Sequence, residues 1–324
     1  LMPQFKLAFK LPAMVVIIAL ATGACLGLAA YLAGNAIVTQ QAQQRLTAAA
    51  ANANSALSAY FEDVSADLTL FAGRSEIAAS IDLFSGALRS LKGQGDPVEL
   101  LQAAYITQNP NAAEARLLLD TSDKLPVYDL HHRALHADFR DLLEKHGYDD
   151  ILLFDTDFNN VYSVAKKADF GTSFADNGGP WAGSDLGTAV RAAMAGEAGQ
   201  VFLTDFAPYG PSAGIPASFI ATPVYDQGFL IGVIAYQMSA KPIGAVLDRT
   251  QGLGSSGALY LVGQDKLVRN DSPSTPEDDV FTRKLDAPAV AAALGGSADL
   301  GPLEYSDGMA YVAASQPLSF GGVS

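Results

Sequence analysis

The chain has 324 residues, of which 49% are hydrophobic and 17% charged, a composition typical of a folded protein with room for about two domains. Acidic residues outnumber basic ones by 34 to 20, and the sequence has no dense cluster of lysine and arginine, which argues against nucleic acid as a partner. The one cysteine, Cys25, excludes an intramolecular disulfide.

An uncharged segment extends from Leu11 to Gln44, and its first part, up to Gly34, is almost entirely apolar or small. About 20 helical residues cross the roughly 30 Å core of a bilayer, so this part is long enough to span it. Lys6 and Lys10 precede it, and the positive-inside rule therefore predicts a cytoplasmic N-terminus and an extracytoplasmic remainder. A cleaved signal peptide is the alternative, but its apolar core is usually shorter.

Beyond this segment, apolar residues recur at spacings of three and four, as a helix requires. These residues are Leu57, Tyr60, Phe61, Val64, Leu68 and Phe71. We therefore predict that the anchor continues outward as one long helix, which could transmit movement or serve as a simple stalk. Further helices are predicted over Val98 to Ile106 and Tyr128 to His146, with a loop and a short helical piece between them.

From residue 150 the pattern changes to strands. Two β-favouring runs, Ile151 to Phe154 and Val161 to Val164, flank turn residues and predict a hairpin. A helix over Leu186 to Ala195 follows, and then come three strands, over Gln200 to Phe206, Ser218 to Val224 and Phe229 to Gln237. The turn "YDQG" joins the last two, which predicts neighbouring strands at the centre of an antiparallel sheet. The apolar run from Phe229 to Tyr236 is too short for a second span.

A shorter version of the same order follows, which predicts a duplicated α+β module. It begins with "GALYLVGQDKLVRND" and continues with a helix over Pro288 to Leu294. Its three strands are predicted over Leu300 to Tyr305, Met309 to Ala314 and Pro317 to Phe320. Because the last strand ends at "FGGVS", we expect the second module to be incomplete and the natural protein to continue.

Three stretches resemble the double Cache sensor region of bacterial transmembrane receptors, and most of all that of methyl-accepting chemotaxis proteins. "LSAYFEDVSADLTLFA" is similar to the first helix of that family and "GYDDILLFDTDFNNVYSVAKKADFGTSF" to its first hairpin. "FIATPVYDQGFLIGVIAYQMS" resembles its run of Pro-Val, turn and Gly-Val. The resemblance implies an α+β fold with two PAS-like antiparallel-sheet modules.

It also implies an organisation for the whole chain. We expect a cytoplasmic stub at residues 1–10, a transmembrane helix at 11–34, a helical stalk at 35–127, a membrane-distal ligand-binding module at 128–245 and a truncated membrane-proximal module at 246–324. The chain is then the anchor and periplasmic sensor of a chemoreceptor in the inner membrane, without a catalytic residue or cofactor. The alternatives are the sensor half of a histidine kinase or nucleotide cyclase and, in a different class, a membrane-tethered periplasmic hydrolase.

The family resemblance also implies partners, namely a small-molecule ligand, the membrane and a second copy of the chain. The ligand could be an amine, an amino acid or an organic acid. Part of the amino-acid-binding branch uses an aromatic and Arg-rich motif with a later Asp, and Trp181, Asp205 and Tyr209 occupy plausible positions, although no Arg followed closely by Trp-Tyr is present. Asp205 lies in the loop "TDFAPYGPSAGIPAS", where it could bind an amine or simply cap a turn.

All four histidines lie between His131 and His146, and His132 and His136 are four residues apart on a predicted helix. This spacing could place two imidazoles on one face for a metal ion, but no third ligand is specified, and the segment also fits an ordinary polar helix face. We therefore assign no metal site. The sequence also has no G-x-S-x-G, H-E-x-x-H or Walker-type motif, which weakens a hydrolase interpretation.

Overall fold

One helix, α1, occupies Leu7–Ala72 in this computed structural model, which describes residues 7–250, 253, 257–271, 279–304 and 310–320. Its 66 residues correspond to a length of about 100 Å. Large apolar side chains are exposed from Leu11 to Val38, whereas from Leu57 onward one side of the helix is buried. The prediction that the apolar segment continues outward as one long helix is confirmed. Within the described part of the chain, α1 is the one helix long and apolar enough to cross a bilayer.

The remaining helices are shorter. They are α2 (Ser75–Leu91), α3 (Pro97–Gln102), α4 (Pro126–His146), α5 (Asp185–Met194), α6 (Lys241–Thr250) and α7 (Pro288–Leu294), with a π turn at Ala103–Thr107 and 3-10 turns at Ala113–Leu118 and Gly210–Ser212. Asp96 caps α3 by accepting a hydrogen bond from the Val98 amide at 2.8 Å. Gly147 ends α4 with φ of 72°, a conformation that glycine adopts without strain.

An antiparallel sheet follows α4. Its strands are β1 (Asp150–Asp155), β2 (Asn160–Ser163), β3 (Phe202–Leu203), β4 (Ala207–Pro208), β5 (Pro216–Asp226) and β6 (Phe229–Met238). Among the described residues the order is β2-β1-β6-β5-β3, with β4 also paired to β5. The predicted hairpin and the central position of β5 and β6 are confirmed. Gln227 and Gly228 join these two strands with φ of 47° and 86°, as a type I′ turn requires.

The predicted strand over Gln200 to Phe206 is reduced to the two residues of β3. Thr204 still hydrogen-bonds the Phe219 backbone, with its amide 2.9 Å from the carbonyl oxygen. Asp205 then turns away to form an ion pair with Arg269, and pairing with β5 resumes only at Ala207. The strand prediction was therefore wrong except at Phe202 and Leu203, and the Asp205 side chain in the interrupted part pairs outside the sheet.

Different helices pack against the two faces of the sheet. Alternation along β1 directs Ile151 and Leu153 to the core formed with α1, α2 and α4, and Leu152 and Phe154 to the core formed with α5. The helix-side core extends back to Ala53 in α1. Residues that the sequence assigned to a stalk thus form part of the same packed unit as the sheet, which we call the first module.

A second module occupies the described residues from 257 to 320. It has a turn bridged by Val262 and Val268, then α7, and an antiparallel pair of strands, β7 (Asp299–Glu304) and β8 (Ala310–Ser315). The predicted helix and strand pair are confirmed as elements, although Tyr305 and Met309 lie outside the described residues. The strand predicted over Pro317 to Phe320 is wrong, since residues 316–319 form no strand.

Candidate ligand-binding site

Polar side chains gather at one end of the α5-side face of the sheet. We call this group the Asp169 cluster, and it consists of Asp150, Lys167, Asp169, Tyr209, Ser212 and Gln237. The sheet supplies two members, because Asp150 on β1 and Gln237 on β6 are register partners. The segments that follow β2 and β4 supply the other four. The cluster therefore joins parts of the chain that are distant in sequence.

Lys167 is tied to the sheet and to the 3-10 turn above it. Its Nζ donates hydrogen bonds to Gln237 Oε1 at 2.7 Å and to Ser212 Oγ at 3.1 Å. Gln237 Nε2 donates to the same Ser212 oxygen at 3.0 Å. The ammonium of Lys167 thus has two neutral acceptors, and no carboxylate of the described residues forms an ion pair with it.

Asp169 has an incompletely satisfied carboxylate. Its side chain is buried, and the Tyr209 hydroxyl donates a hydrogen bond to Oδ2 at 2.7 Å. Oδ1 is also buried and has no hydrogen-bond partner among the described residues. Burial raises the pKa of Asp169 to about 6; the charge of Asp150 adds to the effect, and Tyr209 and Lys167 oppose it. Asp169 is ionised above that pH, with one oxygen available to a donor.

Asp150 is, by contrast, fully hydrogen-bonded. Ser163 Oγ donates to Oδ2 at 2.7 Å, and the amides of Ile151 and Ala165 donate to Oδ1 at 2.8 and 3.0 Å. Burial raises its pKa, whereas Lys167 and these hydrogen bonds lower it. The cluster therefore holds two buried carboxyl groups and the single amine of Lys167. Acidic groups outnumber basic ones here, which favours a cation over an anion at this place.

Two of the three predicted contact residues, Trp181 and Tyr209, lie at the cluster. The Trp181 indole donates from Nε1 to the carbonyl of Ala168 at 3.2 Å. Its ring lies against the backbone of Gly210, where an added Cβ atom would come 2.5 Å from a ring carbon. The Tyr209 ring packs edge-on against Phe219, with centroids 4.8 Å apart. Tyr209 thus contacts the Asp169 carboxylate directly, and Trp181 lies against the backbone on either side of the cluster, at Ala168 and Gly210.

The structure does not bring Asp205 into this group. Its carboxylate binds Arg269, with Oδ1 3.0 Å from Nε and Oδ2 2.6 Å from Nη2. Sequence reasoning missed Lys167 and Asp169 as candidates. The available signal was their position in "VAKKADFGTSF", where three charged residues interrupt a largely apolar and small segment directly after β2.

The predicted histidine pair lies on the opposite face of the sheet, in the helix-side core. His132 and His136 are fully buried. His132 Nδ1 lies 2.7 Å from the Asp120 carbonyl oxygen, and His136 Nε2 lies 2.6 Å from that of Leu117. Both contacts place a proton on the named nitrogen. In the described residues, no group of three or more His, Cys, Asp or Glu side chains could hold a metal ion.

Lys166 accompanies these histidines and is also fully buried. Its Nζ lies 3.0 Å from His136 Nε2 and 3.2 Å from the Val164 carbonyl oxygen. Because His136 Nε2 already carries a proton for Leu117, it can approach Lys166 favourably only if the amine is neutral. Burial lowers the pKa of Lys166 to about 7, in agreement with that geometry.

A cavity of about 1430 Å³ lies elsewhere, between α1, the end of β3 and the second module. Its wall includes apolar α1 residues such as Leu46 and Leu57, together with Asp205 and Arg269. Further charged residues, among them Arg45, Asp279 and Lys284, also line it. The wall contains no residue of the Asp169 cluster, so the cavity and the cluster are distinct places.

Comparison with known proteins gives the following. No family model matches the chain, and no curated protein matches it significantly. Among solved structures it is similar to the sensor domain of the Vibrio cholerae histidine kinase DctB, with 16% identity, 75% of this chain and 92% of that chain covered, and a TM-score of 0.39. It is also similar to methyl-accepting chemotaxis protein X, with 19% identity, coverages of 81% and 93% and a TM-score of 0.40.

A third similar structure is the ligand-binding domain of the Pseudomonas fluorescens chemoreceptor CtaA in complex with L-serine. It has 17% identity, covers 78% of this chain and 88% of that chain, and gives a TM-score of 0.36. The solved structures that resemble this chain thus include sensor domains of chemoreceptors and of histidine kinases.

Proposed function

We propose that this chain is the membrane anchor and extracytoplasmic sensor of a bacterial chemoreceptor, and that its ligand binds at the Asp169 cluster. The single observation that carries the ligand assignment is the buried Asp169 carboxylate, whose Oδ1 lacks a partner among the described residues. An unsatisfied buried charge costs free energy, and a ligand that supplies a donor recovers it. The choice of chemoreceptor over kinase or cyclase rests on the three sequence stretches that resemble that family.

The chemistry of the cluster favours a ligand with an ammonium group. Such a group would donate to Asp169 Oδ1 and reduce the local excess of negative charge. The rings of Trp181 and Tyr209 would add cation–π attraction, worth about 0.5–2 kcal/mol for each suitable contact. An organic acid is disfavoured, because Lys167 already donates to Gln237 and Ser212 and the Asp169 carboxylate would repel an acidic ligand. Of the three ligand classes expected from the sequence, amines and amino acids therefore fit better.

Signalling follows if the ligand prefers one of two arrangements of the loops that cover the cluster, since only a differential affinity can shift an equilibrium. The helix-side core contacts the opposite face of the same strands and includes α1. In this proposal α1 carries the shift toward the membrane, with its apolar part as a span, the N-terminus in the cytoplasm and the two modules in the periplasm as a double Cache region. We further propose that the receptor acts as a homodimer.

The test uses the one tryptophan of the chain, Trp181, as a reporter at the site. The whole chain, in lipid nanodiscs, is titrated with a panel of amines and amino acids and with dicarboxylic acids while Trp181 emission is recorded. We expect a saturable change with at least one ammonium compound. Asp169→Asn should weaken its binding by about 10- to 100-fold, the range for loss of a charge-assisted hydrogen bond. The exposed aspartate in the β1–β2 turn gives the matched control, Asp157→Asn, which should bind as the wild type does.

Two outcomes would contradict the proposal. The first is that no ammonium compound changes the emission. The second is binding that survives Asp169→Asn but is lost in Ala50→Leu, a substitution that narrows the cavity between α1 and the second module. That second result would place the ligand in the cavity instead of at the Asp169 cluster.

A further inference from the structure

A bidentate ion pair joins the two modules. Asp205, in the first module between β3 and β4, accepts hydrogen bonds from Arg269, in the second module, at 3.0 and 2.6 Å. The two residues are 64 positions apart in sequence. Two parallel hydrogen bonds between guanidinium and carboxylate fix the relative orientation of the groups as well as their distance. The pair is therefore a directional connection between the modules.

The second module holds its half of the pair firmly. The Arg269 side chain is only 3% exposed, and its guanidinium lies 4.5 Å from the centroid of the Phe281 ring. Asp265 provides a second carboxylate at 2.9 Å. The backbone of Gly263 lies so close that an added Cβ atom would overlap the Arg269 guanidinium. A guanidinium in this position cannot follow Asp205 freely if the first module moves.

The first module links Asp205 to the Asp169 cluster through a short and well-anchored segment. Tyr209, which donates to Asp169, is four residues after Asp205. Between them, Phe206 is buried in the helix-side core, and Ala207 pairs with Ala217 of β5. Because close-packed interiors transmit strain, we expect a displacement of Tyr209 to reach Asp205 through these two residues.

We infer that the Asp205–Arg269 pair is the coupling contact through which the state of the Asp169 cluster reaches the second module. Asp205 is then a positioning residue that acts through Arg269, and not a ligand contact. The inference rests on the proposed function in taking the Asp169 cluster as the origin of the signal. Its test needs no ligand, however, because Tyr209→Phe disturbs the cluster directly by removing the hydroxyl that binds Asp169.

The experiment measures amide hydrogen exchange in the whole chain in nanodiscs, in peptides covering residues 257–271. In the wild-type background, Tyr209→Phe should accelerate exchange in these peptides by about threefold or more, since local opening free energies respond to lost contacts. In the Asp205→Asn background, exchange should already be faster, and adding Tyr209→Phe should change it no further. This loss of response is a readout that a purely structural role of Asp205 would not produce.

The control breaks an ion pair that stays within the second module. Lys266 Nζ binds Asp286 at 2.6 Å, and Asp286→Asn removes this contact. It should leave the response to Tyr209→Phe intact. If Asp205→Asn unfolds the second module, two other variants replace it. Asp205→Glu retains the charge and should preserve the response to Tyr209→Phe. Gly263→Ala displaces the Arg269 guanidinium and should abolish that response.

The inference is overturned if Tyr209→Phe has no effect on residues 257–271 in the wild-type background. It is equally overturned if the effect persists unchanged in Asp205→Asn or in Gly263→Ala. Neither result depends on which ligand binds, so failure of the coupling contact can be told apart from failure of the proposed ligand site.

Discussion

Replacing the buried Lys166 by methionine should make the stability of the first module much less dependent on pH between pH 7 and 9. The unfolded chain holds the Lys166 proton up to the ordinary pKa of 10.5, whereas burial lowers the pKa in the folded state to about 7. Between these values the unfolded state binds one more proton, so stability increases as pH rises. The contribution of Lys166 to the free energy of unfolding is least favourable at and below pH 7, and it becomes more favourable between pH 7 and 9.

The size of the effect follows from the two pKa values. Each pH unit of a full one-proton difference changes the free energy of unfolding by about 1.4 kcal/mol. Because Lys166 is half-protonated at pH 7 in the folded state, the change from pH 7 to 9 is about 2 kcal/mol. The pKa of Asp169, raised to about 6, changes stability in the opposite sense, but only below the chosen window.

The assay is urea unfolding of the whole chain in nanodiscs at pH 7, 8 and 9, followed by Trp181 emission. The wild type should gain about 2 kcal/mol over this range, and Lys166→Met should gain far less. Lys145→Met, at an exposed lysine near the end of α4, is the matched control and should behave as the wild type. Equal slopes in the wild type and Lys166→Met would refute the inference that burial lowers the pKa of Lys166 in the folded protein.

Three further expectations concern close contacts and the histidines. Gly210→Ala places a Cβ atom 2.5 Å from the Trp181 ring, so the ring must move, and its emission maximum should shift to longer wavelength. Gly232→Ala drives a Cβ atom into the carbonyl oxygen of Phe154 on the neighbouring strand, and should lower stability by about 3 kcal/mol or more in urea unfolding. In calorimetric titration with zinc, the wild type and His136→Gln should give the same heat, since both nitrogens of His136 already have partners.

Local patterns in the sequence predicted those parts of the fold that depend on local physics. The spacing of Leu57, Phe61 and Val64 indicated the buried side of α1, and these residues are in the core. The turn before Phe229 has the residues that positive φ angles require, and it forms the expected hairpin. In both cases the structure depends on residues that are only a few positions apart in the sequence.

The candidate site depends on contacts that no local pattern encodes. Asp169 meets Tyr209 across 40 positions, and its importance derives from an oxygen left unpaired after folding. Asp205 is an acidic residue in a loop, as many ligand contacts are, but its carboxylate accepts hydrogen bonds from Arg269 instead. Nothing in "TDFAPYGPSAGIPAS" indicates that an arginine from the second module will occupy this carboxylate. Long-range pairing of charges therefore marks the limit of the sequence analysis.

The continuity of α1 fixes a rotational phase between the exposed apolar segment and the packed core. With about 100° of rotation per residue, one residue inserted between Val38 and Ala49 would turn one half of the helix by that angle relative to the other. An insertion of seven residues would nearly restore the original direction, since two turns require about 7.2 residues. The number of residues in this part of α1 thus fixes the orientation of its exposed apolar segment relative to the packed core, and only length changes near a whole number of helical turns would preserve that orientation.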